Sequence, residues 1–362
     1  MQFSSDVLRT LVAVRSVADS PTSLERALGF CVDQFQDTPM VTRWYSCGGK
    51  PSVVIARTDA LFYDMIFVGH VDVVPGDDAM FVLREEGERL VGRGVCDMKG
   101  PIIAMINAMR EVLRMNPSAS VAMMLTSDEE VDGVCGVRYL VDEIGYRANV
   151  VIVPDGGNDV QTIVTSNKAS WTLRITAHGT SAHGARPWLG VNAIEKLMRC
   201  TQEVLTLFPA RLQENKWENT CNVGRIEGGC ASNQVPDSAS CLLDIRLIET
   251  TNTKGILEEL ERVVAVYGCT LDVLETGIVS HTASDNPYLV RYASVVESVT
   301  GVPAQFVRSE GADDGRFFSR HNIPVICTRP KSGGQHSDHE WVDAQSLQQL
   351  TEILVQFCSG KI

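Results

Sequence analysis

Four short apolar runs constrain this chain most: "SVVIA" (52–56), "DMIFVGHV" (64–71), "VAMMLTS" (121–127) and "NVVIVPD" (149–155). Gly-rich or charged loops and the helix-like stretch "MKGPIIAMINAMREVLRM" (98–115) separate them. Continuous apolar runs of this length read as strands covered on both faces, and their alternation with a helix predicts an α/β fold with a mainly parallel sheet. The polar residues in and after these runs are unusual. His70 lies inside the second run, Asp128, Glu129 and Glu130 follow the third, and Asp155 ends the fourth. In open α/β sheets the ligand crevice lies outside the carboxyl ends of the strands, so all of these residues are directed to one edge.

The rest of the chain fits around that sheet. Val7, Leu8, Leu11, Val14 and Val17 form one helical stripe, and a second helix is expected after the Pro21, Thr22, Ser23 break. Residues 168–279 have another texture: about four alternating strands, "ASWTLRITAHG", "NTCNVGRIEGG", "SASCLLDIRLIE" and "TLDVLETGI", with two helices, one from about Val191 to Phe208 and one near "TKGILEELERVVAVYG". The candidate site residues lie before and after this stretch. The simplest organisation is a discontinuous domain, 1–167 and 280–362, with an α+β domain, 168–279, inserted. A chain of 362 residues also exceeds the usual size of one hydrophobic core.

Composition narrows the function. A formal charge of −13 with no offsetting basic cluster argues against a nucleic-acid or anionic-membrane partner. No apolar run approaches the length of a membrane span, and the N-terminal apolar run is too short for a signal peptide. Eleven Cys, an odd number without a CxxC pair, read as reduced core residues of a cytoplasmic protein rather than a disulfide framework or a thiolate zinc site.

The acids and histidines allow two readings. His70 and Asp72, two apart in a strand, would share a face, which suits either a metal-ligand His oriented by an acid or a buried His with an ordinary partner. Asp97 in "GRGVCDMKGP" could cap the helix that follows or bind a cation. Three adjacent carboxylates, Asp128 to Glu130, are either a solvated loop or a place where a cation offsets their repulsion. "GGQHSDHEWV" adds His336, with His339 as a rival. Two His with three or four carboxylates make a hard N/O ligand set, suited to zinc, cobalt or manganese.

The motifs "GHVDVVP", "GRGVCDMKG", "TSDEE", "PDGG", "GTSAHGARPWLGVNAI", "EGGCASNQVPDSASCLLDIR", "GADDGRF" and "QHSDHE", in this order across nearly the whole chain, resemble the M20 family of di-zinc metallopeptidases and deacylases. The resemblance implies that His70 and Asp155 bind one Zn(2+), that Glu130 and His336 bind the other, and that Asp97 bridges the two; Co(2+) or Mn(2+) are possible substitutes. It makes Asp72 the residue orienting His70, Glu129 the general base, and Glu340 a support. The insert becomes a ferredoxin-like lid and dimerisation domain, in which His183 serves the partner subunit of a homodimer. Asn233, Arg246 and Asp314 fall at substrate-side positions. A surface loop for His183 and a strand-surface ion pair for Arg246 are the plain alternatives.

The function so implied is hydrolysis of an amide bond in a dipeptide or other short peptide. Two features depart from the family: "CTRPKSGGQ" replaces its glycine-rich segment before the last His, and "GADDGRF" replaces its usual Asp314 loop. Asp155 after Pro154 is the form commoner among its aminopeptidases and dipeptidases, which favours a peptide. The alternative is a deacylase of N-acetyl or N-succinyl amino acids, and a remote one is an inactive ligand-binding relative. No GxSxG supports a serine hydrolase.

Overall fold

The computed structural model describes residues 5–131, 133–209 and 217–360. The chain divides into two compact units: 1–166 with 280–309 and 313–362, and 167–279 with 310–312.

The first unit opens with α1 (Ser5–Val12) and α2 (Pro21–Asp33), whose apolar stripes, Leu8 and Leu11, then Leu24, Ala27, Leu28 and Cys31, are buried. Then come β1 (Val41–Cys47), β2 (Lys50–Ala56), β3 (Phe62–His70), α3 (Lys99–Met115), β4 (Val121–Thr126), β5 (Arg147–Val153) and β6 (Thr162–Asn167). β2 and β4 are buried along almost their whole length, as continuous apolar runs require. The exposed β1, "VTRWYSC", and β6 lack that signal and were not foreseen. α3 packs closely on β3: a Cβ on Gly69 would lie 2.8 Å from the Met105 methyl, which would have to shift to admit it.

The second unit is β7 (Ala169–His178), α4 (Ala193–Thr206), β8 (Thr220–Gly228), β9 (Ser238–Leu247), α5 (Thr253–Val266) and β10 (Cys269–Thr276). Its antiparallel sheet has the order β8-β9-β7-β10, the ferredoxin-like arrangement of a βαββαβ chain. Alternate residues of β7 and β9 point inward in register, Trp171 opposite Ile245 and Leu173 opposite Leu243. Leu197, Cys200 and Val204 of α4 and Leu260, Val263 and Val264 of α5 join this core.

The chain returns to the first unit with β11 (Ser280–His281), α6 (Pro287–Thr300), β12 (Gln305–Ser309), β13 (Val325–Cys327) and α7 (Ala344–Ser359). Among the described residues its main sheet runs β1-β2-β4-β3-β5-β13-β6-β11, with β12 beside β6. The centre β4-β3-β5-β13 is parallel and the flanks are antiparallel, so the α/β sheet is mixed and mainly parallel around the site. A smaller sheet joins Arg84–Glu86 and Arg89–Val91 to Ser332–Gly333 and Trp341–Asp343, bracketing the segment that carries His336.

Candidate metal centre

Register decides what meets at the sheet edge. His70 pairs with Thr126, so β3 and β4 end together; Val153 pairs with Cys327, so β5 and β13 end together. The residues at or just beyond those ends come from four neighbouring parallel strands. They include His70, the acids after Thr126, Asp155 and Arg329.

His70 is buried, with Nε2 3.1 Å from Asp97 Oδ1, 3.7 Å from Asp155 Oδ2 and 3.9 Å from Glu129 Oε2. β3 ends at His70, and the closest contact of its Nδ1 is the backbone oxygen of Asp72 at 3.1 Å; the Asp72 carboxylate lies 3.5 Å away. Backbone therefore holds the imidazole more closely than the carboxylate does. The second Asp72 oxygen accepts from the Glu130 backbone N–H at 3.0 Å and so ties the acid run to β3.

Asp97 does not cap α3, where Met98 occupies the cap position. Glu340 instead fixes the Asp97 loop by accepting from the backbone N–H groups of Gly94, Cys96 and Asp97 and from Arg93. Asp97 Oδ2 lies 3.2 Å from His336 Nε2, and Glu130 Oε2 lies 3.1 Å from the same nitrogen. His336 adopts φ +60 to reach this place, and the exposed His339 has no part in the cluster.

The three consecutive acids separate into three surroundings. Asp128 is buried and accepts from the backbone N–H groups of Cys135 and Gly136, and a Cβ on Gly136 would strike its carboxylate. Glu130 turns to His336, and Glu129 faces His70.

Among the described residues two groups of side chains could each hold a metal ion: His70, Asp97, Asp155 and Asp97, Glu130, His336, with ligand atoms within 4.8 Å of one another. The donors fit the metal pair that the family pattern implies. They are hard nitrogen and oxygen atoms, and the two groups share one carboxylate. The charge balance points the same way. Hydrogen bonds that His336 donates to the Asp97 and Glu130 carboxylates push it up to about 10. Burial alone would lower His70, but its contacts with Asp155, Asp72 and Asp97 raise it well above its usual value. Burial, with Asp155, Asp314 and Asp97 close by, outweighs the opposing effect of His70 and holds Glu129 well above the usual carboxylate range. Both imidazoles thus sit where positive charge is stabilised.

Two residues missed in the sequence complete the edge. Buried Arg329 donates to Asp155 and, at 2.7 Å, to Gln335 Oε1; the Gln335 amide donates to Asp97 Oδ2. An arginine two residues beyond a buried strand was the available signal. Asp314 is buried 3.7 Å from Arg316, and burial, with Asp128 adding, pushes it up to about 8.

The remaining predicted site residues lie in the second unit. His183 is exposed on a two-residue strand opposite Gln234, and Asn233 accepts from the Gly184 backbone N–H, so these loops are neighbours. Arg246 makes two contacts, 2.9 and 3.2 Å, with Asp244 on its own strand.

A mixed sheet whose parallel strands bring His70 and a set of carboxylates to one edge, where His336 from the smaller sheet's loop joins them, together with a ferredoxin-like insert, defines a metallohydrolase. Residues 66–359 match the family described as peptidase family M20/M25/M40, and the chain belongs to it. A succinyl-diaminopimelate desuccinylase of Bordetella petrii is 28% identical over 305 residues, 80% of each chain. The aminopeptidase PepT structure from Bacillus cereus superposes with a TM-score of 0.79 at 20% identity, covering 98% of this chain and 96% of its own. A dinuclear metal-binding M20 peptidase from Bacillus subtilis gives 0.69 at 13%, covering 98% and 97%. Among the described residues no helix is long and apolar enough to cross a membrane.

Proposed function

We propose that this chain is a di-zinc hydrolase that cleaves the amide bond of a dipeptide or other short peptide. The observation that carries the reading is the division of labour at the sheet edge: two ligand groups share Asp97, and Glu129 belongs to neither while facing His70. His70, Asp97 and Asp155 would hold one Zn(2+), and Asp97, Glu130 and His336 the other. When bound, the pair supplies Lewis acidity that polarises the scissile carbonyl and acidifies water. Glu129 takes the proton from the attacking water and passes it to the leaving amine, the work of a general base and then a general acid. Asp72 keeps His70 oriented through its backbone oxygen and carboxylate, and Glu340 keeps Asp97 in place.

In the second unit, His183 is assigned to stabilising the oxyanion in a partner subunit, and Asn233 and Arg246 to the substrate. Homodimerisation is supported by apolar side chains left outside that unit's core: Trp188, Leu189 and Met198 are 76%, 63% and 59% exposed. Arg246 would have to exchange Asp244 for a substrate carboxylate.

A peptide is favoured by Asp155 after Pro154. A second reading, deacylation of N-succinyl or N-acetyl amino acids, is favoured by the desuccinylase relatives. The test is a panel of dipeptides and tripeptides beside N-acyl amino acids on the zinc-loaded chain. A kcat/KM for peptides about 100-fold higher supports the first reading, a reversed ratio installs the second, and no turnover of either class removes both.

A further inference from the structure

Cys47 and Cys135 are far apart in sequence, yet their sulfurs lie 2.9 Å from each other. Seven of the eleven cysteines are buried; this pair is half-buried, so a small reagent can reach it. The fold makes the approach possible at a tight turn. Cys47 ends β1 opposite Lys50, and the two turn residues, Gly48 and Gly49, have φ +56 and +78, the left-handed conformation of a two-residue hairpin turn. A Cβ on Gly48 would lie 2.9 Å from the Cys135 sulfur, so the turn leaves room for it. Cys135 lies in the helical turn Val134–Arg138 just after the loop that carries Glu129 and Glu130, and its backbone N–H donates to Asp128 at 2.8 Å.

We propose that Cys47 and Cys135 are a disulfide-forming pair that braces this acid-bearing loop against the β1–β2 hairpin. The bonded separation is about 2.05 Å, so the sulfurs need move less than an ångström. The oxidant is a small-molecule disulfide. One thiolate attacks it, forming a mixed disulfide and expelling one thiolate; the second cysteine thiolate then attacks the mixed disulfide at the protein sulfur and expels the other. The two protein thiols lose two protons and two electrons, and the small disulfide leaves as two thiols. The cross-link closes a long loop that includes β2, β3, α3 and β4 and so restricts the unfolded chain.

The test uses the full chain, reduced and then treated with oxidised glutathione. Digestion without reductant, followed by mass spectrometry, should yield a peptide pair linked through Cys47 and Cys135. The count of reactive thiols should fall by two, and the thermal midpoint should rise by several degrees. Cys135→Ser should stop the reaction at a glutathione adduct on Cys47, and Cys47→Ser should stop it on Cys135; either variant suffices if the other does not fold. A wild-type chain that keeps glutathione adducts without the link, or acquires the link with no rise in midpoint, overturns the proposal. None of these readings depends on hydrolytic activity or on metal.

Discussion

Arg329 grips Asp155 twice, donating to its backbone oxygen at 2.9 Å and to its carboxylate at 2.8 Å, with both side chains buried. This leaves Oδ2 of Asp155 directed at His70. Arg329→Met would strand a buried carboxylate. Breaking a buried pair in this way costs about 3–5 kcal/mol. The denaturation midpoint of metal-free protein should fall accordingly, and excess zinc, which offers Asp155 another cation, should restore part of the loss. An unchanged midpoint would show that the pair contributes nothing.

Asp97 is common to both ligand groups, so Asp97→Asn should reduce bound zinc from about two ions per chain to one or fewer. Elemental analysis after zinc loading and desalting reads this directly. Two ions retained by the variant would remove Asp97 as a bridge.

Glu129 and Glu130 are adjacent and chemically alike but should fail differently. Glu129→Gln keeps shape and loses the proton acceptor, so turnover should drop by about 10²–10⁴ with zinc content unchanged. Glu130→Gln should lose zinc as well as rate, because Glu130 faces His336. Zinc loss in the first variant and not in the second would reverse the two roles.

Glu340 accepts three backbone N–H groups and the Arg93 guanidinium at the base of the Asp97 loop. Glu340→Ala should cost about 3 kcal/mol or more by leaving Arg93 buried without its carboxylate. It should also lower zinc occupancy at limiting zinc, although Glu340 is no ligand. Full occupancy with normal stability would mean that the loop holds its shape unaided.

His183→Ala should lower turnover at least about tenfold while zinc content and dimer mass stay constant. Sedimentation of the wild-type chain should give a dimer at micromolar concentration. A monomer with full activity per chain would remove both expectations.

The strands were legible because an apolar run buried on both faces needs no partner information to be recognised: "DMIFVGHV" and "VAMMLTS" are β3 and β4 almost residue for residue. The two helices and four strands of the insert were legible for a related reason, since period-2 and period-3.6 patterns are local. The site's residue types were also in view, because His and acids at strand ends are a property of the chain itself. What they do there is a property of distance. Asp128, Glu129 and Glu130 are equivalent as letters, and only the turn after β4 and the register of β3 with β4 send one to backbone N–H groups, one toward His70 and one to His336. His70 takes its nearest Nδ1 contact from a backbone oxygen, which no side-chain pattern encodes. Arg329 meets Asp155 across 174 residues of sequence because β13 lies beside β5. Strand order is set by the burial of whole surfaces, so contacts between distant segments were decided by the tertiary structure alone.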